Sequence, residues 1–242
     1  MLPRFFLDQP LHAGDTLVLP GGAARHVQVL RLQPGAGITL FNGEGAEWLA
    51  SVTQMGRSEV TVQLGARAEV DRELALPVTL ALGMPANERM DGVIEKATEL
   101  GVATIQPLMC ERSVLRLAGE RAQKKLAHWQ AVAIAACEQS GRTRVPRIGP
   151  VRALSEWLAS LPPADGGARW VLSLRAPALH TLAQPTSLVC LSGPEGGLTE
   201  AEEQAACGTG FVALSLGPRV LRADTAPLAL LSHLSLCAQG LR

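Results

Sequence analysis

Two apolar stretches near the C-terminal end, each followed by a turn and a helix start, constrain the fold of this chain more than any other feature. The first stretch is Ser187–Thr199 and the second is Phe211–Thr225. Each begins with an apolar run of strand length that ends in a Gly-Pro turn. Thr199 and Glu202 have the spacing of a capping box, and Asp224 or the threonine after it can cap the next helix. The pattern predicts two strand–turn–helix units.

The glycines of these two turns indicate a ligand site. In an open α/β sheet, ligands bind in the crevice at the carboxyl ends of neighbouring parallel strands. A turn without side chains lets backbone N–H and C=O groups approach the ligand. Neither turn has the G-x-G-x-x-G or G-x-x-x-x-G-K-[ST] spacing of phosphate-cradling loops, so a nucleotide site of those types is not expected. The plain alternative is that glycine and proline only reverse the chain.

Composition predicts a globular protein with one large or two modest domains. The chain has 242 residues, of which 47% are hydrophobic and 18% charged, so it can bury a core. The five cysteines are odd in number and form no C-x-x-C pair, which favours reduced, buried thiols over disulfides or zinc ligands. The N-terminus lacks the apolar region of a signal peptide, and the longest apolar stretch, Ala226–Ala238, is too short to span a bilayer. These features predict a cytoplasmic protein without a membrane segment or a metal.

The order of strands and helices divides the chain near residue 75. Residues 1–75 contain several short strands separated by turns, which predict a small β-barrel, and a short helix at Ala23–Leu32. From residue 76 to residue 242 strands alternate with helices, which predicts an α/β domain whose parallel sheet is covered on both faces. Asn87 is expected to cap the first of these helices. The charged segment 66–76 is the expected domain boundary.

The net charge is zero, but the charges are unevenly distributed. Nine basic and two acidic residues lie between Arg112 and Arg152, whereas the regions before and after carry a small acidic excess. A neutral protein with one basic segment can hold a polyanion over one face, so the segment predicts a nucleic-acid partner. The alternative is a solvated helix surface.

Four motifs, in order along the chain, resemble those of the SPOUT methyltransferases. The likeness is closest to the bacterial members that form N3-methyluridine in 16S ribosomal RNA, and it covers nearly the whole chain. The motifs are Glu95–Val102 leading to Pro107 and Glu111–Ser113, Ala133–Pro146, Leu191–Thr199, and Leu214–Arg222. The resemblance implies an enzyme that uses S-adenosylmethionine as its cofactor and methylates 16S ribosomal RNA of the small ribosomal subunit.

The same resemblance implies structural features that periodicity does not reveal. It implies a PUA-like RNA-binding domain at residues 1–75. It implies a methyltransferase domain with a deep trefoil knot at residues 76–242. It also implies a homodimer in which the last helix, about Ala226–Gln239, packs against its partner.

Candidate binding residues follow from the motifs and from arginine chemistry. The cofactor is expected to lie against strand ends and turns formed by Leu172, Ser173, Leu174, Leu191, Ser192, Gly193, Pro194, Glu195, Gly196, Gly197, Leu214, Leu216, Gly217, Leu221 and Arg222. The candidate RNA contacts are Arg25, His26, Arg31, Arg112, Arg142 and Arg144. Arginine binds phosphate through paired hydrogen bonds and stacks on unpaired bases. His26 has a plain alternative as a capped or half-buried histidine.

Methylation at uracil N3 requires the ring nitrogen to lose its proton first, and a base or a stabilising cation can promote that loss. Asp224 or Glu195 is the candidate base, and Arg142 or Arg222 is the candidate cation that stabilises the uracil anion. Each carboxylate also has a structural alternative, since Glu195 can favour the adjacent helix N-terminus and Asp224 can cap its helix. Capping is favoured for Asp224, because the family more often has glutamate at that position.

Two other functions remain open from the sequence. One is a SPOUT enzyme that acts on transfer RNA or on a ribose 2′-hydroxyl. The other is a non-catalytic RNA-binding assembly factor in which the crevice has lost its ligand. The intact glycines of both turns argue against the second.

Overall fold

The computed structural model describes residues 2–163, 165–177 and 185–238. The chain folds into two compact units. The first unit is Met1–Glu73 with Ile134–Val145, and the second is Leu74–Ala133 with Pro146–Arg242. The division at residue 73 lies close to the boundary expected from the sequence. The sequence pattern predicts residues 134–145 in the second domain, however, and they pack with the first unit instead.

The first unit is built on a five-stranded sheet around one core. Its elements are β1 (Arg4–Phe6), β2 (Thr16–Val18), α1 (Gly21–Val29), β3 (Gly37–Phe41), β4 (Ala46–Met55) and β5 (Val60–Glu69). The strand order is β1-β3-β4-β5-β2, in which β1 and β3 are parallel and the other pairs antiparallel. Alternate residues of β4, such as Trp48 and Val52, point into the core, as a half-buried strand requires.

Three details of this unit differ from the sequence-based expectation. The strand β5 continues to Glu69 because its end pairs with the start of β4, so residues 66–69 are not a linker. The helix expected at Ala23–Leu32 begins at Gly21 and ends at Val29, since Arg31 has a φ of +54° and leaves the helical conformation. Strand β1 is not predicted by the pattern, because three residues are too few to show alternation.

Side-chain hydrogen bonds explain why residues 134–145 join the first unit. The Phe6 backbone N–H donates to Oε1 of Glu138 at 2.9 Å, and Oγ1 of Thr143 donates to the carbonyl of Val70 at 2.8 Å. Burial raises the pKa of the Glu138 carboxyl, although the Phe6 hydrogen bond opposes this shift. These partners are far apart in sequence, so the sequence pattern could not reveal them.

The second unit is an α/β structure built on one parallel sheet. Its elements are β6 (Val78–Gly83), α2 (Asn87–Glu99), β7 (Thr104–Met109), α3 (Gly119–Ser140, whose last turns belong to the first unit), β8 (Arg147–Ile148), β9 (Arg152–Ala153), α4 (Leu154–Ala159), β10 (Ala168–Leu172), β11 (Leu188–Ser192), α5 (Glu200–Gly208), β12 (Val212–Leu214) and α6 (Thr225–Ala238). The strand order is β12-β10-β11-β6-β7-β8, with β9 also paired to β7. Every strand pair in it is parallel.

Both faces of this sheet are covered, as the alternating pattern predicts. Ala81 and Leu191 lie in a core cluster with residues of α4 and α5. Their strand neighbours Leu80 and Cys190 point to the opposite face and are also fully buried. Burial on both faces is typical of a parallel sheet and explains why its strands are apolar throughout.

The helix boundaries are partly as predicted. The capping box of α5 is confirmed, since Thr199 and Glu202 exchange their reciprocal side-chain-to-backbone hydrogen bonds. The cap expected at Asn87 is wrong, because Asn87 is the first helical residue and Ala86 occupies the cap position. The last helix ends at Ala238 in the described part of the chain, and Gln239 of the expected range lies outside it.

Three of the five cysteines, Cys110, Cys137 and Cys190, are buried, and none of the five forms a disulfide. Burial raises the pKa of each buried thiol to about 12. These thiols are therefore neutral at physiological pH. In the part of the chain that the structure describes, no helix is both long enough and apolar enough to cross a bilayer.

Candidate active site

A cavity of about 560 Å³ lies in the second unit at the carboxyl ends of β10, β11 and β12. Its walls are the segments 172–175, 192–198, 214–216 and 219–223, with Arg89, Arg112, Glu203 and Ala226. The two turns singled out in the sequence thus meet at one site. This is the edge of a parallel sheet where ligands bind.

Most of the residues expected to bind the cofactor line this cavity. They are Leu172, Ser173, Leu174, Ser192, Gly193, Pro194, Glu195, Gly196, Gly197, Leu214, Leu216, Leu221 and Arg222. Leu191 does not, because it is fully buried in the core between β11 and the helices α4 and α5. Gly217 does not either. Its φ of +111° is one that glycine adopts readily, and a Cβ there would meet no protein atom within 4 Å.

Close backbone packing fixes the turn after β11. A Cβ on Gly83, at the end of β6, would lie 2.6 Å from Cδ of Pro194 and 2.9 Å from Sγ of Cys110. A Cβ on Gly193 would lie 2.8 Å from the backbone nitrogen of Leu198. Glycine is therefore required at both positions by contact with the turn. Sequence analysis does not identify Gly83, because the close approach involves a residue more than a hundred positions away.

The segment after β7 holds the same turn through hydrogen bonds. Nη1 of Arg112 donates to the carbonyl of Gly196 at 2.9 Å. The backbone N–H of Glu111 donates to Oε1 of Glu202 at 2.8 Å, while the other carboxylate oxygen accepts the N–H of Thr199 at 2.9 Å. Glu202 therefore joins the end of β7 to the start of α5. Arg112, expected to contact RNA, also has this structural contact.

Glu195 connects the turn to α2. Its Oε1 accepts the backbone N–H of Ala86 at 2.9 Å and lies 4.0 Å from Nη1 of Arg89. The structural alternative considered for Glu195 placed it beside the helix that follows it, whereas the contact is with the residue that precedes α2. Its carboxylate lines the cavity, but one oxygen is already engaged.

Two of the four candidate catalytic residues, Glu195 and Arg222, line the cavity. Asp224 does not. It lies in a neighbouring groove between α2 and α6, and its Oδ1 accepts the backbone N–H of Thr225 at 3.0 Å. Asp224 immediately precedes α6, but the N–H that it accepts is that of the first helical residue, whereas a capping side chain accepts from the second or third.

The Arg142 side chain is buried and does not line the cavity, so it is not accessible to RNA or to a bound base, contrary to the sequence-based expectation. It belongs to the first unit, is 3% exposed, and its guanidinium forms an ion pair with Glu73. Its carbonyl accepts Nη2 of Arg4 at 3.2 Å. Buried charges require such partners, so Arg142 stabilises the first unit. Sequence reasoning failed here because its partner lies 69 residues away.

Four of the other candidate RNA contacts lie on the surface of the first unit. They are Arg25, His26, Arg31 and Arg144. His26 is half exposed, its ring lies edge-on to Phe5 with 5.3 Å between centroids, and its Nδ1 is 4.0 Å from Glu138. The Arg144 guanidinium lies beside Gly45, where a Cβ would be 2.6 Å away.

The cavity is positively charged overall. Five arginines and two glutamates line it, and sequence analysis missed Arg89, Arg175, Arg219 and Glu203. Arg219 had a signal, since it lies inside the second glycine turn motif. A net positive cavity attracts an anionic partner. Cys110 contributes no charge because burial raises its pKa to about 12.

In the ranges 2–163, 165–177 and 185–238, no three His, Cys, Asp or Glu side chains are grouped so as to hold a metal ion. The charged groups that line the cavity are five arginines, which donate hydrogen bonds, and two glutamates, which accept them. Such a set suits an organic ligand with polar ends.

Comparison with known families agrees with this geometry. Residues 72–235 match the family described as RNA methyltransferase domain, and residues 19–65 match the RNA methyltransferase PUA domain. The N-terminal match confirms the PUA-like domain expected from the resemblance. The catalytic match covers more than half of the chain.

Individual relatives match over nearly the full length. The ribosomal RNA small subunit methyltransferase E of Bacillus subtilis is 31% identical over 100% of this chain and 99% of its own. That of Synechocystis is 34% identical over 91% of this chain and 73% of its own. The crystal structure of the Neisseria gonorrhoeae enzyme bound to S-adenosylmethionine is 38% identical, with a TM-score of 0.91 and 98% coverage of both chains. The four motifs thus identified the family correctly, and this chain belongs to the ribosomal RNA small subunit methyltransferase E family.

Proposed function

We propose that this protein transfers a methyl group from S-adenosylmethionine to N3 of a uridine in 16S ribosomal RNA of the small subunit. The observation that supports this most is the cavity between the two glycine turns. It is lined by the glycines of the turn after β11, by Leu214–Leu216 and by five arginines, and its volume of about 560 Å³ lies in the range of small-molecule sites. Family membership gives the substrate class.

The cofactor would be held mainly by main chain. Gly193–Gly197 and Leu214–Leu216 line the cavity, with Leu172 and Leu221 supplying apolar side chains. When bound, S-adenosylmethionine supplies a methyl group on a sulfonium that is already a good leaving group. The protein therefore contributes chiefly by positioning the two reactants.

Arg222 is our candidate for stabilising the uracil anion. It lines the cavity and is exposed, and its guanidinium has no hydrogen bond or ion pair to any residue in the described part of the chain. A cation beside the ring lowers the energy of the deprotonated base. Glu195 lines the same cavity and is the remaining candidate base, whereas Asp224 faces the neighbouring groove.

RNA would be bound by arginines in both units. Arg112 and Arg219 lie at the cavity, and the Arg219 guanidinium is as free of described partners as that of Arg222. In the first unit, Arg25, His26, Arg31 and Arg144 remain our candidate contacts, because all four are exposed. Arg142 is omitted because it is buried.

We also propose a cytoplasmic homodimer with a trefoil knot near the C-terminus. A groove of about 380 Å³ between α2 and α6 supports a partner surface, with Leu228 half-buried along it and Leu236 half exposed on the same helix. Family membership supports the knot. Light scattering tests the dimer, and a monomeric mass at micromolar concentration would contradict it.

The product of the reaction tests the proposed function. We expect that incubation with labelled S-adenosylmethionine and either 30S particles or free 16S RNA, followed by digestion to nucleosides, yields N3-methyluridine. A 2′-O-methylated nucleoside, or label transferred only in a parallel incubation with transfer RNA, would indicate a different target. Intact RNA binding without any methyl transfer would support a non-catalytic assembly factor.

The Gly83→Ala variant tests the contribution of backbone packing. The added Cβ would clash with Pro194, so we expect the turn to shift and the affinity for S-adenosylmethionine to fall at least about tenfold, equivalent to about 1.4 kcal/mol. Gly208→Ala is the matched control, because a Cβ there meets no atom within 4 Å. Calorimetric titration measures both. Equal affinities in the two variants would show that the turn does not depend on this contact.

The salt dependence of RNA binding tests Arg219. If Arg219 contacts a phosphate, we expect Arg219→Gln to reduce the slope of log K against log salt by about 0.7 to 0.9. Arg121→Gln is the control, since Arg121 is exposed in the basic segment but does not line the cavity. An unchanged slope for Arg219→Gln, with 16S RNA as the ligand, would remove Arg219 from the RNA-binding surface.

A further inference from the structure

Glu203 and Arg175 form an ion pair that lines the cavity. The Glu203 carboxylate is on α5 and its side chain is 19% exposed, whereas the Arg175 side chain lies just after β10 and is 60% exposed. Nη2 of Arg175 is 3.3 Å from Oε2 of Glu203. Oγ of Ser173 donates to the same oxygen at 3.1 Å. Neither charged residue is identified from the sequence.

This arrangement leaves one carboxylate oxygen available to a ligand. Both contacts are made by Oε2, and Oε1 of Glu203 has no hydrogen bond or ion pair to any residue within the described ranges. Ser173 is itself fixed, because its backbone N–H donates to the carbonyl of Leu214 at 2.9 Å and its Oγ accepts the N–H of Arg175 at 3.3 Å. The Glu203 carboxylate is therefore held in place through Oε2, while Oε1 can still accept a hydrogen bond from a ligand.

The other carboxylate at the cavity is less suited to a cationic group. Oε1 of Glu195 already accepts the N–H of Ala86, and Arg89 lies 4.0 Å from it. Glu203 is thus the acidic group best placed for a positive charge on a bound ligand. Arg175 beside it can accept a negative charge, since a guanidinium has five donor N–H groups and Glu203 engages few of them.

We propose that Glu203 and Arg175 together bind the zwitterionic α-amino acid end of the cofactor, an inference that rests on the proposed use of S-adenosylmethionine. The ammonium group pairs with Glu203 and the carboxylate pairs with Arg175. Opposite charges a few ångströms apart on the protein match opposite charges two bonds apart on the ligand. A lone carboxylate at this position would leave the ligand carboxylate unpaired, which costs free energy in a partly buried site.

Three ligands that differ only at the methionine portion test this assignment by calorimetry. S-adenosylmethionine and S-adenosylhomocysteine both carry the amino acid group, whereas 5′-methylthioadenosine lacks it. We expect Glu203→Gln and Arg175→Gln each to lower the affinity for S-adenosylmethionine and S-adenosylhomocysteine by about 10- to 100-fold, which is the range for the loss of a charge-assisted hydrogen bond. The affinity for 5′-methylthioadenosine should stay unchanged.

The matched control is Glu200→Gln, an exposed glutamate on the same helix that does not line the cavity. Equal weakening of all three ligands would show that the pair only fixes the cavity wall, and unchanged binding of all three would remove it from the site. If Glu203→Gln fails to fold, the test uses Arg175→Gln alone, since the Arg175 side chain is 60% exposed and its replacement should not disturb folding. If the wild-type protein binds none of these ligands, the proposed function itself fails, whereas wild-type binding with unaffected variants overturns this inference alone.

Discussion

The site depends on one constraint, the close approach of backbone from three strand ends. Gly83 at the end of β6 packs against Pro194, just after β11, and Arg112, just after β7, donates a hydrogen bond to Gly196 of the same turn. The N–H of Glu111 donates to Glu202 at the start of α5. These contacts fix the position of the turn after β11, which lines the cavity together with the turn after β12.

The charged residues of the cavity include arginines without partners among the described residues and carboxylates that the protein orients. The arginines exceed the carboxylates by three, and each carboxylate is oriented by its own set of donors, a backbone N–H for Glu195 and a hydroxyl with a guanidinium for Glu203. The exposed Arg219 and Arg222 have no such partners within the described residues. An excess of uncommitted cations suits a polyanionic substrate, while fixed carboxylates suit the small cationic groups of a cofactor.

Sequence predicted those features that depend on local pattern. The capping box of Thr199 and Glu202, the parallel sheet and the two glycine turns are all short-range signals, and the structure has them. Long-range contacts were not accessible. The sequence pattern predicts an exposed Arg142 within a basic segment, but in the structure Arg142 is buried and paired with Glu73. The pattern also gives no sign that Gly83 is special, because its requirement for glycine comes from contact with the distant Pro194. The sequence shows that a strand ends near Leu191 but not which face each side chain takes, and in the structure the Leu191 side chain is buried in the core while Ser192 lines the cavity.

A structure of the protein with S-adenosylhomocysteine tests the central claim most directly. We expect the ligand to lie between Gly193–Gly197 and Leu214–Leu216, with hydrogen bonds from its base and ribose mainly to backbone N–H and C=O groups. Ligand bound elsewhere on the protein, or bound here chiefly through side chains of the two turns, would contradict the account.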